Sequence, residues 1–356
     1  MGRVKLAVLG CGEVARDHHL PWLARIPDAA VSIVADADPA ALAAARKLAP
    51  DARGVGDWRD AVAAPEIDAV LVCLPNHLHA DAAEAAAEHR RHVYVEKPLA
   101  TSLIDADRVL AACEAAGVVG MMGFNYRFNA LYTDARDLLA AGRVGSAALF
   151  RGEFMLARSD VPQWKRQSAT GGGVLFDLAP HHVDLIPWLV DDPVVDVLAT
   201  VSSRVSENDT ATLTLRLRRG AVAQLAFGYG LVDAMRLEID GDGGRLVVDR
   251  RRHQRAFIET PGETQLGRML RAADDARRLR YVLEKRSAPG GEPSHGAALR
   301  RFVAAALAGD RVQPDLAAGR ACAAVLDAAE RSLRSESFER VVEDRVPAAA
   351  ERRAAS

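Results

Sequence analysis

An excess of charge of either sign is what this sequence lacks: over 356 residues the formal net charge is −2. No broad basic field is therefore available for nucleic acid or an anionic membrane. The local runs Arg250-Arg251-Arg252 and Arg277-Arg278-Leu279-Arg280 are offset by acids elsewhere and read as solvated faces. Cysteine is scarce. Cys11, Cys73, Cys113 and Cys322 are widely separated, with neither a CxxC nor a metal-ligand spacing, and Cys73 in its apolar run reads as a buried free thiol. That usage points to a reducing compartment. Long hydrophobic runs are missing too: no stretch approaches the length that spans a bilayer, and Val4 to Leu9 is too short for a signal segment. A cytoplasmic protein with no nucleic-acid or membrane partner is expected.

What is present suits two domains, since 356 residues with 49% hydrophobic and 26% charged content exceed one ordinary core. Val4 to Leu9 reads as a strand ending in Gly10-Cys11-Gly12-Glu13-Val14-Ala15, after which apolar residues recur at helical spacing through Ile26. Strand, glycine turn and helix are the setting of a dinucleotide fingerprint. Gly10 permits the tight turn, Gly12 lets a pyrophosphate approach the backbone, Ala15 lets the helix pack closely on the strand, and the helix start offers amide donors. A second strand, Ala30 to Ala35, ends at Asp36. An acid there accepts hydrogen bonds from ribose hydroxyls and repels a 2′-phosphate, so NAD is expected over NADP. Asp38-Pro39 opens a helix to about Leu48.

Ala69 to Leu74 reads as a buried parallel strand ending at Pro75-Asn76-His77-Leu78-His79, and Val93 to Val95 as another ending at Glu96-Lys97-Pro98. Ligands of open parallel sheets bind outside the carboxyl ends of the strands, which makes Lys97 the first candidate for chemistry. A solvated strand-end lysine is the plain alternative. Ser102 and Gly117 bracket a further helix, and Val118 to Met122 completes an alternating pattern over 1–122: one doubly wound Rossmann domain of the α/β class.

From Gly123 the pattern changes. Phe124-Asn125-Tyr126-Arg127-Phe128 leads into a helix to about Ala141, and Ala147 to Leu156 reads as a strand. Gly171-Gly172-Gly173 precedes an apolar helix containing Asp177, His181, His182 and Asp184. Runs at 194–205, 210–217, 221–229, 235–239 and 245–248 read as strands without intervening helices, hence a largely antiparallel sheet. Helices are expected at about 263–285, 295–308 and 316–334, with a loose tail over 345–356. The second domain, 123–344, is thus α+β, and the cleft between the domains is the default site.

Four features resemble the Gfo/Idh/MocA oxidoreductases, which include glucose-fructose oxidoreductase and inositol 2-dehydrogenase: Gly10 to Ala15, Pro75 to His79, Glu96-Lys97-Pro98, and the triple glycine followed by Asp177 and His181. The resemblance covers nearly the whole chain, including Ser294-His295 at the start of a late helix. It implies that Lys97 is the catalytic lysine beside the nicotinamide. The cofactor residues it implies are Gly10, Gly12, Glu13, Val14, Ala15, Asp36, Leu74, Pro75, Asn76, His79, Glu96 and Lys97. It also implies a sugar, sugar-derivative or cyclitol substrate, and an open second-domain sheet whose face makes homo-oligomer contacts, in a dimer or tetramer. One departure concerns Ala179, where the family often has glycine, followed here by Pro180 and a doubled histidine. Spacing favours His181, four residues after Asp177, over His182.

Oxidising a secondary alcohol needs hydride transfer to the nicotinamide, a base for the hydroxyl proton and positive potential for the alkoxide. Lys97 suits the last task, and the base's task where burial lowers its pKa; His181 can accept or relay the proton, and Asp177 can bond the substrate or orient both. Asn125, Tyr126 and Arg127 are expected to face the cleft and the substrate, with packing at the domain joint as the alternative for Tyr126, and Trp164 to stack on a sugar ring or pin a loop. Taken singly, Asp177 and His181 also read as a capping acid and a satisfied core histidine. Asp177, His181, His182 and Asp184 are compatible metal ligands, but adjacent histidines point to different sides of a helix, and no metal is expected. Two rivals stand beside the dehydrogenase reading: a redox-neutral NAD-dependent glycosidase, epimerase or eliminase, and a non-catalytic NAD-binding regulator. Loops around 156–170 and 259–292 are expected to set specificity.

Overall fold

The computed structural model describes residues 2–158, 160–167, 170–252, 255–260 and 279–343. These divide into two compact units, one of residues 2–125, 288–323 and Glu343, the other of the described residues within 126–287 and 324–342. The sequence places 288–323 in the second domain, whereas the structure packs it with the first. Two glycines make that contact: a Cβ on Gly290 would stand 2.1 Å from the His18 ring, and one on Gly296 2.4 Å from the Trp22 ring.

In the first unit β1 (Val4–Leu9), β2 (Ala29–Ala35), β3 (Arg53–Val55), β4 (Ala69–Val72), β5 (His92–Val95) and β6 (Gly120–Met122) lie in the order β3-β2-β1-β4-β5-β6, all parallel. The order reverses beside β1, which places a crevice at the carboxyl ends of β1 and β4. β4 and the last three residues of β5 are buried throughout, the continuous apolar pattern of strands covered on both faces. Helix α1 (13–23) follows β1 and runs as a π-helix over Ala15–His19, a departure from the simple α-helix that the spacing implies. α2 (Pro39–Leu48) is capped by Asp38, whose carboxylate accepts from Ala40 N at 2.9 Å. α3 (Trp58–Val62) and α4 (His79–Glu88) follow. α5 (Leu103–Ala116) begins at Ser102, which accepts from Asp105 N, and ends at left-handed Gly117.

The second unit contains α6 (Ala130–Ala140), β7 (Ala147–Leu156), α7 (Gly173–Asp177), α8 (Ala179–Val190), β8 (Val194–Ser202), β9 (Thr210–Leu217), β10 (Val222–Tyr229), β11 (Ala234–Gly241) and β12 (Gly244–Asp249). Two short strands, β13 (Phe257–Glu259) and β14 (Glu339–Arg340), extend a sheet of order β13-β12-β11-β7-β10-β9-β8-β14. Among the described strands of this sheet only β7 and β10 pair in parallel, so the sheet is largely antiparallel. Along β9, Ala211, Leu213, Leu215 and Leu217 are buried, and the alternate residues Thr210, Thr212, Thr214 and Arg216 lie on the opposite, more open face. The last helices are α9 (Leu279–Ser287), α10 (Pro293–Ala308) and α11 (Leu316–Ser335). Residues 263–278 of the expected helix and the tail at 345–356 lie outside the described residues. No helix among the described residues is long and apolar enough to cross a membrane.

Candidate active site

At the end of β1 the two glycines do different work. Gly10 has φ +91°, and a Cβ on it would stand 2.4 Å from the Cys73 carbonyl oxygen, so the chain's own packing demands glycine. Gly12 has no such reason, because a Cβ there would meet no protein atom within 4 Å. Open space over the backbone is what the close approach of a pyrophosphate requires, and the turn fits a dinucleotide. Asp36 closes the same turn: Oδ2 accepts from Cys11 N at 2.7 Å and Oδ1 from Asp38 N at 2.8 Å. The carboxylate is thereby fixed at the end of β2 and keeps lone pairs for ribose hydroxyls. Ala15 is fully buried against the strand, Val14 half-buried and Glu13 exposed. Burial, aided by the Asp36 charge, pushes the Cys11 thiol up to about 12, which removes it as a nucleophile.

β5 delivers Glu96 and Lys97 at its carboxyl end, before a cis peptide to Pro98. Glu96 is buried, and His19 Nε2 lies 2.8 Å from its Oε1. Gly123 leaves the room, since a Cβ on it would stand 2.8 Å from Glu96 Oε1. Burial pushes the Glu96 carboxyl up, yet the His19 hydrogen bond and the charges of His19 and Lys97 outweigh it and hold the group below the usual carboxylate range. Lys97 itself is half-buried. Leu74 and Pro75 lead from β4 into a 3₁₀ turn at Asn76–Leu78, in which Asn76 is buried.

Two side chains expected to face a ligand make hydrogen bonds within the protein. His79 is 1% exposed, with Nδ1 2.6 Å from the Pro98 carbonyl oxygen and Nε2 2.7 Å from that of Leu74. It ties the turn after β4 to the turn after β5, and burial lowers its pKa against the pull of the two carbonyls. The buried Asn125 amide donates to Ser294 Oγ at 3.0 Å and lies 3.3 Å from His295 Nε2, at the start of α10.

In the second unit the helix expected after the triple glycine is divided at Leu178. Pro180 has no N–H for the Phe176 carbonyl, so α7 ends at Asp177 and α8 starts at Ala179. Asp177 is buried and bonded on both oxygens: Oδ2 accepts from the Tyr229 hydroxyl at 2.6 Å and Oδ1 from Lys165 Nζ at 2.8 Å. Burial and the Asp177 charge raise the Tyr229 pKa far above its ordinary value, so the phenol stays a donor. His181 is half-buried and stacks on Tyr126, ring centroids 4.3 Å apart, with the Arg250 guanidinium 4.2 Å from the Tyr126 centroid. His182 is the core histidine, fully buried near Phe154 and Phe227, and burial lowers its pKa to about 4.

Arg127, expected to face substrate, forks onto Asp184 instead, with Nε–Oδ2 at 2.9 Å and Nη2–Oδ1 at 2.6 Å. Burial pushes the Asp184 carboxyl up to about 6 against the Arg127 charge. Trp164 sits half-buried on a 3₁₀ turn at Gln163–Arg166, and its carbonyl accepts from Thr170 Oγ1 at 2.7 Å.

Asp177 and Asp184 are engaged separately and His182 is buried among aromatic rings, so among the described residues the four weighed as metal ligands form no cluster. Among the described residues one trio does: His19, Glu96 and His295, all buried, with ligand atoms within 4.8 Å of one another. The direct His19–Glu96 hydrogen bond accounts for most of that closeness. Sequence reasoning passes over Lys165, Tyr229 and His19. Lys165 follows Trp164 directly and was open to notice; Tyr229 and His19 carry no spacing signal toward their partners.

Residues 4–124 match the model of an oxidoreductase family with an NAD-binding Rossmann fold, Gfo/Idh/MocA, and residues 132–247 match the Gfo/Idh/MocA C-terminal domain. Levoglucosan dehydrogenase of Pseudarthrobacter phenanthrenivorans is 26% identical, over 95% of this chain and 98% of its own. Myo-inositol 2-dehydrogenase of Thermotoga maritima is 27% identical, over 69% of this chain and 75% of its own. Among solved structures, the WlbA dehydrogenase of Bordetella pertussis in complex with NADH and UDP-GlcNAcA superposes with a TM-score of 0.82 at 25% identity, covering 96% of this chain and 99% of that one.

Proposed function

The chain belongs to the Gfo/Idh/MocA oxidoreductase family, and we propose that it transfers hydride between NAD and a secondary hydroxyl or ketone of a sugar, sugar derivative or cyclitol. The observation that carries this reading is the pairing, at the carboxyl edge of one parallel sheet, of a glycine turn open at Gly12 with the strand-end lysine Lys97. Relatives named for levoglucosan and myo-inositol supply the substrate class.

Nicotinamide, when bound, supplies the hydride acceptor. The backbone of Gly10 to Ala15 faces the pyrophosphate, and Asp36 accepts from the ribose hydroxyls and disfavours a 2′-phosphate. Leu74, Pro75 and Asn76 line the nicotinamide side. Lys97 holds positive charge at the reacting oxygen and, with His181, takes the hydroxyl proton. Asp177, oriented by Tyr229 and Lys165, bonds a neighbouring substrate hydroxyl, and Tyr126 carries the His181 ring. Trp164 flanks the sugar. Arg127, His79 and Asn125 support these groups from within the protein. The half-exposed face of the second-unit sheet, where Arg151 pairs with Glu238 and Asp240, serves contact between copies of the chain.

The test is NADH absorbance of purified protein with NAD and a panel that includes levoglucosan, myo-inositol, aldoses and uronates, repeated with Lys97→Ala and with NADP. A substrate-dependent rise that falls about 10²–10⁴-fold in Lys97→Ala is expected. Lys97→Ala with most of its activity intact overturns the assignment of the lysine, and equal turnover with NADP overturns that of Asp36. Tight NADH binding without NADH formation from any compound overturns the dehydrogenase reading.

A further inference from the structure

Resting on the reading of Lys97 as catalytic, we infer that His19 is its positioning residue, acting through Glu96. His19 closes the π turn of α1, is fully buried, and reaches Glu96 across the fold at 2.8 Å. Its ring is set edge-on to Tyr94 at 5.7 Å and to His295 at 5.3 Å, which fixes the direction of Nε2. Glu96 is covalently next to Lys97, and its carboxylate also packs on Gly123, where no Cβ fits. The residue after Lys97 is held as well, since the Pro98 carbonyl meets His79. Lys97 therefore sits on a turn gripped at both flanking residues, and the grip on Glu96 comes from the helix that starts at the glycine turn.

Three features argue that this contact serves function rather than packing alone. His19 Nδ1 is buried with no hydrogen-bond partner among the described residues, a cost that an apolar residue at this position avoids. A π turn in place of a regular helix turn recurs at functional sites, where it re-aims a side chain. Finally, Glu96 is kept charged although buried, and His19 is the chief reason. One hydrogen bond thus ties the helix that starts at the glycine turn to the residue beside Lys97.

The test compares His19→Leu with His19→Gln, whose amide can still donate to Glu96, each alone and with Lys97→Ala. With levoglucosan, myo-inositol or whichever panel compound is turned over, His19→Leu is expected to lower kcat on the order of 10²-fold, the cost of a misplaced catalytic group. KM and NADH affinity stay near wild type, and His19→Gln recovers most of the loss. In the Lys97→Ala background His19→Leu has no further effect, which a general folding defect cannot imitate. A measurement free of turnover is the rate of trinitrophenylation of each lysine by peptide mass spectrometry. Lys97 is expected to change its rate in His19→Leu and regain it in His19→Gln, while Lys5 and Lys47 do not change. Unaltered kcat and Lys97 labelling in His19→Leu, or equal further loss in the Lys97→Ala background, overturn the inference. So does a stoichiometric divalent metal in the purified protein that disappears with His19→Leu, because the trio is then a metal centre. Activity retained by Lys97→Ala alone is a failure of the proposed function and is read before any His19 variant.

Discussion

Acidification from pH 7 to 5 is expected to cost the second unit about 2 kcal/mol through His182 alone. The imidazole is fully buried, and burial, with the Arg250 charge adding, lowers its pKa from 6.5 to about 4 while the Arg236 backbone opposes the shift. Between those two values the unfolded chain binds a proton that the folded chain refuses, so stability rises with pH across the window. The contribution is fully present above 6.5 and is lost as pH falls through 4. Its full span is about 3 kcal/mol, of which roughly 2 falls between pH 7 and 5. Urea unfolding of the wild type and of His182→Leu at both pH values isolates it, because leucine suits the apolar surroundings and carries no proton. The wild type is expected to lose about 2 kcal/mol more than the variant over the interval. Parallel losses, or a His182 ring titrating near 6.5 by NMR, would falsify the core assignment.

The two glycines of the cofactor turn separate by assay: Gly10→Ala is expected to destabilise the fold by roughly 3 kcal/mol, whereas Gly12→Ala leaves thermal stability unchanged and weakens NADH binding. Equal effects on stability would refute the claim that Gly12 is there for a ligand. Arg127→Ala strands the buried Asp184 carboxylate and is expected to cost about 3–5 kcal/mol in urea unfolding, while Arg127→Met with Asp184→Leu restores much of it. A stable single variant with impaired substrate affinity would return Arg127 to the substrate side. Lys165→Met is expected to raise KM through Asp177, with kcat falling less, in steady-state assays of the active substrate; an unchanged KM would show that Asp177 needs no such anchor.

Local pattern accounts for much of the fold. β1, α2, β7 and β9 lie where strand alternation, an Asp-Pro start or an apolar run places them, because those signals depend on neighbours a few residues away. The fingerprint at Gly10 to Ala15 and the lysine after β5 are legible for the same reason: each is a strand end followed by a turn, and the sheet order puts both at the carboxyl edge where open parallel sheets bind ligands. The division of α7 from α8 was readable in Pro180. The π geometry of α1 had no local cue.

Side-chain partners follow a different rule. The bonds that hold the candidate residues within each unit join positions far apart in the chain: His19 to Glu96 over 77 positions, Asp177 to Tyr229 over 52, Arg127 to Asp184 over 57 and Asn125 to Ser294 over 169. Periodicity says which face of a helix is apolar, but not which distant carboxylate or amide will lie across from a given polar group. That choice falls to packing, which leaves His181 half-buried beside Tyr126 and buries its neighbour His182 against Phe227. It also returns residues 288–323 to the first unit, where Gly290 and Gly296 admit the rings of His18 and Trp22. Burial then sets the chemistry: His182 loses basicity in a core from which water is excluded, while its neighbour His181 stays half-buried in its stack.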